Sequence, residues 1–143
     1  MSLEENKMVV RRWIDAYNRR NLDFEEFIAP DYFDHTNQVD GEGLKQLFNM
    51  GLKAFPDWHE TIENIIAEGD MVWVLLTYRG THRGEFMGLP PTGNEIATKA
   101  VDIYRIVNGK LAEYWNVTDN LHLFNALGAI EYTEKGKKLA RAL

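Results

Sequence analysis

An Asn-Gly pair at positions 108 and 109 constrains the fold more than any other feature of this chain. It separates two runs of alternating character, residues 96–107 and 110–118. Asn-Gly between such runs is the strongest short-range signal for a two-residue β-hairpin, because both positions of the turn need positive φ. The sequence therefore predicts two antiparallel strands joined at this pair.

The pairing within this hairpin predicts which side chains share a face of the sheet. If Val107 pairs with Lys110, then Asp102 lies opposite Trp115, and Asp119 falls on the same face. This face would combine small, aromatic and acidic groups, whereas a surface in contact with solvent would carry more lysine and glutamate. A register shift of one residue would reverse all of these assignments.

The order of elements along the chain indicates an α+β domain. Apolar residues at helical spacing predict a helix from Glu4 to about Arg20, a short one from Phe24 to Ile28 and a third over residues 44–55. A polar loop is expected between His35 and Gly43. Strand-like segments follow at 58–67, at 71–82 and in the hairpin. Helices packed on one face of a curved, mainly antiparallel sheet account for this order.

The predicted strand from Met71 to Tyr78 is apolar on both of its faces. An antiparallel sheet with one face in water should alternate apolar and polar residues instead. Because the helices can cover only one face, we expect the other face to pack against a second copy of the chain. The alternative is a sheet that closes enough to bury both faces within one chain.

Composition limits the class of protein. A chain of 143 residues with 45% hydrophobic content is expected to form one domain, residues 1–143. A net charge of −6 does not favour nucleic acid as a partner. The chain has no cysteine and no His/carboxylate spacing typical of a metal site, so no metal is expected. Neither a signal peptide nor a membrane-spanning segment is recognisable, which favours a cytoplasmic protein without membrane contact.

Several segments together resemble the SnoaL-like polyketide cyclases, within the superfamily named after nuclear transport factor 2. The similarity covers nearly the whole chain. The segments that carry it are Tyr32-Phe33-Asp34-His35, Phe55-Pro56-Asp57, Ala67-Glu68-Gly69-Asp70, residues 80–93, and the block from Asp102 through Arg105, Gly109-Lys110, Glu113, Trp115 and Asp119 to Leu127-Gly128.

This resemblance implies a cone of one strongly bent sheet and about three main helices around a deep apolar cavity, with dimers common. It also implies that Asp119 occupies the position of the general acid/base in the members that form rings. Those enzymes close a ring by intramolecular aldol condensation on a polycyclic ester, with neither metal nor cofactor.

The chemistry implied by the resemblance needs few groups. Asp119 would transfer the protons, with its proton affinity raised by the aromatic wall of Trp115. His35 and Asp102 could orient an ester or stabilise developing charge on oxygen. A flat substrate could stack on aromatic side chains, for which the candidates are Trp13, Tyr17, Phe33, Trp58 and Trp115.

Simpler roles remain open for the two catalytic candidates. Asp119 could merely cap the helix that begins near Asn120, because aspartate at that position accepts backbone N–H bonds. His35 could only hydrogen-bond to its own loop.

Two hypotheses about function follow. The first is a cofactor-free cyclase or isomerase that uses an aspartate acid/base on a hydrophobic cyclic carbonyl or ester compound. The second is a binding module that holds a small hydrophobic metabolite without catalysis. A hydrolase with the same fold is a variant of the first.

Overall fold

The computed structural model describes residues 1–142, which form five helices and one six-stranded sheet. The helices are α1 (Leu3–Asn18), α2 (Phe24–Phe27), α3 (Gly41–Ala54), α4 (Asn120–Ala126) and α5 (Glu134–Ala142), and the strands are β1 (Ile28–Asp34), β2 (Val39–Asp40), β3 (His59–Glu68), β4 (Met71–Thr81), β5 (Glu95–Val107) and β6 (Lys110–Thr118). The six strands form one mixed sheet in the order β2-β1-β6-β5-β4-β3. The predicted α+β class is confirmed.

The N-terminal helices begin at side-chain caps and cover the inner face of the sheet. Ser2 caps α1 by accepting a hydrogen bond from the backbone N–H of Glu5, and Asp40 caps α3 in the same way through Gly43. The buried stripe of α1 includes Trp13 and packs with the inner sheet residues into one core. This packing leaves a space between α1, α3 and the sheet.

The segment before α3 differs from its prediction. Residues 28–34 form β1, where the sequence reading placed the end of a helix and an unassigned stretch. β1 runs parallel to β6, so the sheet is not a plain antiparallel meander. The sequence does not predict this strand, because a proline such as Pro30 has no N–H to donate and is unusual within a strand. The pairing with β6 also shifts register between Ile28 and Phe33. The mostly polar loop is also shorter than expected, because β2 and the start of α3 occupy residues 39–43.

The two apolar faces of β4 have different environments. Val72, Val74 and Leu76 are fully buried in the core between sheet and helices. Trp73 and Leu75 point away from the helices and are 48% and 39% exposed. The helices therefore cover one face of the strand, as the sequence pattern predicted.

The β5–β6 hairpin contains a bulge that the sequence analysis missed. The turn forms as predicted, with Asn108 and Gly109 both at positive φ and Val107 paired with Lys110. One extra residue in β6 then shifts the pairing, so that Asp102 lies opposite Asn116. The prediction that Asp102 lies opposite Trp115 is wrong. The shift reverses the faces of all later residues in β6.

A loop of residues 82–94 joins β4 to β5 and is attached to the end of α3. The backbone N–H groups of Arg83 and Gly84 both donate to the carbonyl of Ala54, at 2.9 and 3.1 Å. His82 is fully buried there, and its Nδ1 accepts a hydrogen bond from the N–H of Thr92 at 3.2 Å.

None of the helices in residues 1–142 is long and apolar enough to cross a membrane.

We expect Gly84→Ala to destabilise the protein by about 1–3 kcal/mol, because the added methyl group would overpack this attachment. A Cβ at position 84 would lie 2.1 Å from the carbonyl oxygen of Lys53. Gly51 in α3 is the matched control, since a Cβ there meets no atom within 4 Å. Gly51→Ala should stabilise by about 0.5–1 kcal/mol. Urea unfolding of both variants measures their free energies of unfolding. Equal values would contradict the close packing of Gly84 against the end of α3.

Candidate functional site

A cavity of about 210 Å³ lies between α1, α3 and the inner face of the sheet. Its walls combine five tyrosines and two tryptophans with three carboxyl groups, two asparagines and three apolar residues of α3. A concave site of this kind, with few polar groups among aromatic walls, is the usual setting for a small-molecule ligand. The three carboxyl groups belong to Asp34, Glu60 and Asp102.

Asp102 is the most heavily hydrogen-bonded group of the cavity. Its Oδ1 accepts hydrogen bonds from the Tyr78 hydroxyl at 2.7 Å, the Tyr114 hydroxyl at 2.8 Å and the Asn116 amide at 2.8 Å. Its Oδ2 accepts one from the Tyr104 hydroxyl at 3.3 Å. Burial raises the pKa of Asp102, and these four donors oppose that rise because they stabilise the carboxylate.

The amide of Asn116 is itself held in one orientation. The Thr118 hydroxyl donates to Asn116 Oδ1 at 2.7 Å, so the amide nitrogen faces the other way. That nitrogen contacts both Asp102 Oδ1 and the Tyr78 oxygen, the latter at 3.1 Å. Residues on β4, β5 and β6 thus form one network around a single carboxylate.

Glu60 lies in β3, in a poorer hydrogen-bonding environment. Its Oε2 accepts one hydrogen bond, from Trp58 Nε1 at 3.0 Å. Its backbone is fixed by Asn18, which donates to the Glu60 carbonyl and accepts from the Glu60 N–H, both at 2.8 Å. Burial and, secondly, the charge of Asp102 raise the pKa of Glu60 to about 8. Glu60 therefore carries a proton at neutral pH.

Asp34 ends β1 and is the third buried carboxyl group. It accepts hydrogen bonds from the backbone N–H groups of Thr36 and Asn37, both at 2.9 Å, and from the Asn37 amide at 2.8 Å. All three donors suit an ionised carboxylate, which accepts only.

The tyrosines of the cavity keep their protons. Burial first, and then the negative charge of nearby carboxylates, raises the pKa of every tyrosine on the wall well above its ordinary value, namely Tyr17, Tyr32, Tyr78, Tyr104 and Tyr114. These hydroxyl groups are therefore donors at any physiological pH.

Half of the residues predicted for the site line this cavity: Trp13, Tyr17, Trp58 and Asp102. The structure places the other four elsewhere. Phe33, His35 and Trp115 form a cluster on the far side of the sheet, where the His35 ring stacks on the Trp115 ring at 4.6 Å. His35 Nε2 also contacts Glu113 Oε1 at 2.9 Å. The predicted grouping of Trp115 with Asp102 fails because of the bulge in β6.

Asp119 lies outside the cavity, at the start of α4. Its carboxylate accepts a hydrogen bond from the backbone N–H of His122 at 3.1 Å, and its side chain is exposed. This is the capping geometry that the sequence analysis left open as an alternative.

Several wall residues were missed by the sequence reading, although a signal for them exists. Side chains two residues apart in a strand point to the same face of the sheet. Glu60 therefore shares a face with the apolar Ile62, and Tyr78 shares one with the buried Leu76. A polar side chain on the buried face of a strand is a candidate for function. Tyr114 and Asn116 could be placed only with the correct register.

No cluster of three or more histidine, cysteine, aspartate or glutamate side chains suited to a metal ion occurs in the described part of the chain. The cavity offers acids, hydroxyls and amides. This donor set can bind and orient a small molecule and can exchange protons with it.

The chain belongs to the SnoaL-like polyketide cyclase family, whose sequence profile matches residues 7–127. Among characterised relatives, aklanonic acid methyl ester cyclase DauD of Streptomyces sp. (strain C5) is 27% identical over 136 residues, which cover 90% of this chain and 84% of the relative. Nogalonic acid methyl ester cyclase of Streptomyces nogalater is 29% identical over 122 residues, with 80% and 91% covered.

Solved structures share the fold of this chain. AclR of Streptomyces galilaeus, a candidate hydroxylase, superposes with a TM-score of 0.83 at 34% identity, covering 91% of this chain and all of its own. IdmH of Streptomyces antibioticus, a candidate polyketide cyclase, gives a TM-score of 0.76 at 29% identity, with 86% and 98% covered.

Proposed function

We propose that this protein is a cyclase or isomerase that transfers protons at a carbon next to a carbonyl group, on a hydrophobic cyclic carbonyl or ester compound. One observation carries the proposal. Two buried carboxyl groups in one cavity have environments that favour opposite protonation states, since Asp102 has four donors and Glu60 has one. Such a pair defines a base and an acid.

The two carboxyl groups divide the reaction between them. The Asp102 carboxylate removes the proton from the carbon, and the electron pair moves to the carbonyl oxygen to form an enolate. The hydroxyl of Tyr17 or Tyr32, which line the cavity and are not among the donors to Asp102, donates a hydrogen bond to this oxygen. For isomerisation, Asp102 returns the proton to another carbon. For cyclisation, the enolate carbon attacks a second carbonyl, and Glu60 protonates the new alkoxide.

The reaction as written consists of proton transfers and carbon–carbon bond formation. It needs no electron acceptor, because substrate and product have the same overall oxidation level. The aromatic wall supplies a surface for a flat substrate, with Trp13, Tyr17 and Trp58 available for stacking. Holding the reacting carbons in contact lowers the barrier further.

The assignment of the base to Asp102 departs from the one that the family resemblance implied for Asp119. The reason is position: Asp102 is 2% exposed inside the cavity, whereas Asp119 is an exposed cap. A buried carboxylate is the stronger base, because desolvation penalises its charge. His35, Phe33 and Trp115 have no part in this mechanism, since they lie on the other face of the sheet.

We expect Asp102→Asn to lower proton exchange by at least about 100-fold, because a general base contributes that much or more. The measurement is NMR detection of deuterium exchange from heavy water into β-keto esters and cyclic ketones. Asp119→Asn is the matched control, since asparagine caps a helix as well as aspartate does. It should exchange at the wild-type rate.

Loss of exchange in Asp119→Asn alone, with folding intact, would return the base to Asp119. Ligand binding without exchange in the wild-type protein would instead favour a non-catalytic carrier.

Activity should fall as the pH rises through about 8, because Glu60 then loses the proton that it donates. Below that pH the acid is present, and activity is limited only by protonation of Asp102. In Glu60→Gln the decline near pH 8 should disappear, since glutamine does not titrate, and the overall rate should be lower. The pH profile of the ring-closure rate measures this, with a β-keto ester that carries a second carbonyl group as the substrate, because deuterium exchange alone does not use the Glu60 proton. An unchanged decline in Glu60→Gln would assign it to another group.

We also propose a homodimer through the outer face of the sheet. Four large apolar side chains are exposed on its strands, with Ile66 61%, Trp73 48%, Leu75 39% and Val117 66% exposed. Exposed apolar groups that lie together on one surface mark an interaction site.

Sedimentation equilibrium should give twice the chain mass of 16.6 kDa for the wild type and the single mass for Trp73→Lys. The charged side chain would have to be buried at the interface without a partner. Met87→Lys is the control, because Met87 is 81% exposed on the 82–94 loop rather than on the sheet. A wild-type mass of 16.6 kDa would refute the dimer.

A further inference from the structure

We propose that the cavity selects its ligands by charge, preferring a compound with a protonated amine over the uncharged compound of the same shape and rejecting a carboxylate. This inference names the ligand class of the cavity in which the reaction is placed. It rests on the proposed function only in taking that cavity as the ligand site.

The cavity contains negative charge that nothing on its wall neutralises. Asp34 and Asp102 are 1% and 2% exposed, and every hydrogen bond that they accept comes from an uncharged donor. Among the described residues, no lysine, arginine or histidine lines the cavity. Buried charges in proteins are normally paired, so a ligand is the available source of a counter-charge.

Two arginines that could act on the cavity are engaged in other contacts. The Arg20 guanidinium, whose charge acts on the wall residue Tyr17, donates to the carbonyls of Asn18 and Pro56 from an exposed position. Arg105 is in β5 with Asp102, but it points to the other face and pairs with Glu113 there. The negative potential therefore stays concentrated within the cavity.

The aromatic walls favour the same ligand. Tyr17 and Phe48 meet edge to face at 4.7 Å, and Trp58 lies 5.1 Å from Tyr78. The electron-rich faces of such rings attract cations, and the attraction grows when the site excludes water. An ammonium group that contacts the cavity side of these rings would be stabilised by both the rings and the carboxylates. A carboxylate ligand would be repelled by both.

The experiment compares three compounds of one shape at neutral pH by isothermal titration calorimetry: 2-aminoindane, 2-indanol and indane-2-carboxylate. We expect the amine to bind at least about tenfold more tightly than the alcohol, because an ion pair at about 4 Å in a site shielded from water contributes more than the 1.4 kcal/mol that a tenfold difference requires. The carboxylate should bind more weakly than the alcohol.

Asp34→Asn and Asp102→Asn should each reduce the preference for the amine, whereas Glu68→Gln should not. Glu68 is exposed at the β3–β4 turn, so that variant changes the net charge by the same amount without touching the cavity. An amine that binds no more tightly than the alcohol, or a carboxylate that binds equally well, would overturn the proposal. So would a preference that Glu68→Gln weakens as much as Asp102→Asn does.

This readout is independent of catalysis. A protein that prefers the amine but exchanges no protons would refute the proposed reaction and leave the charge selectivity standing. A protein that exchanges protons but binds the amine and the alcohol equally well would refute the charge selectivity and leave the proposed reaction standing.

Discussion

The hydrogen-bond network around Asp102 is the constraint on which the site depends. Burying a carboxylate is costly unless donors replace the lost water, and here three tyrosine hydroxyls and one amide do so. The donors come from three adjacent strands, so the network exists only in one register of β4, β5 and β6. The bulge in β6 is what brings Tyr114 and Asn116 to this face.

The same network determines the chemistry of its neighbour. Burial, together with the charge on Asp102, raises the pKa of Glu60 to about 8 and so keeps it protonated at neutral pH. A core of apolar residues would be easier to stabilise than a cavity that holds three carboxyl groups. Strongly perturbed groups gathered in one cavity are a feature of functional sites rather than of structural cores. The architecture therefore separates the apolar packing that stabilises the fold from the perturbed carboxyl groups of the cavity.

The fold class, the N-terminal helices and the turn at Asn108-Gly109 could be predicted from the sequence, and four of the residues named for the site line the cavity. It failed where local pattern and tertiary pairing diverge. The two adjacent apolar residues Leu111 and Ala112, both buried, are the trace of the bulge, but strict alternation was assumed instead. Pro30 and an irregular register hid β1. The protonation state of Glu60 depends on a charge 42 positions away in the chain, which no local pattern contains.

The most direct test of this account is to observe the cavity carboxyl groups themselves. In protein with ¹³C-labelled glutamate and aspartate side chains, the carboxyl carbons can be followed by NMR from about pH 5 to about pH 10. One glutamate resonance, absent in Glu60→Gln, should titrate near pH 8. If all glutamate carboxyls of the folded protein titrate below about pH 6, the cavity holds no protonated acid and the central claim is wrong.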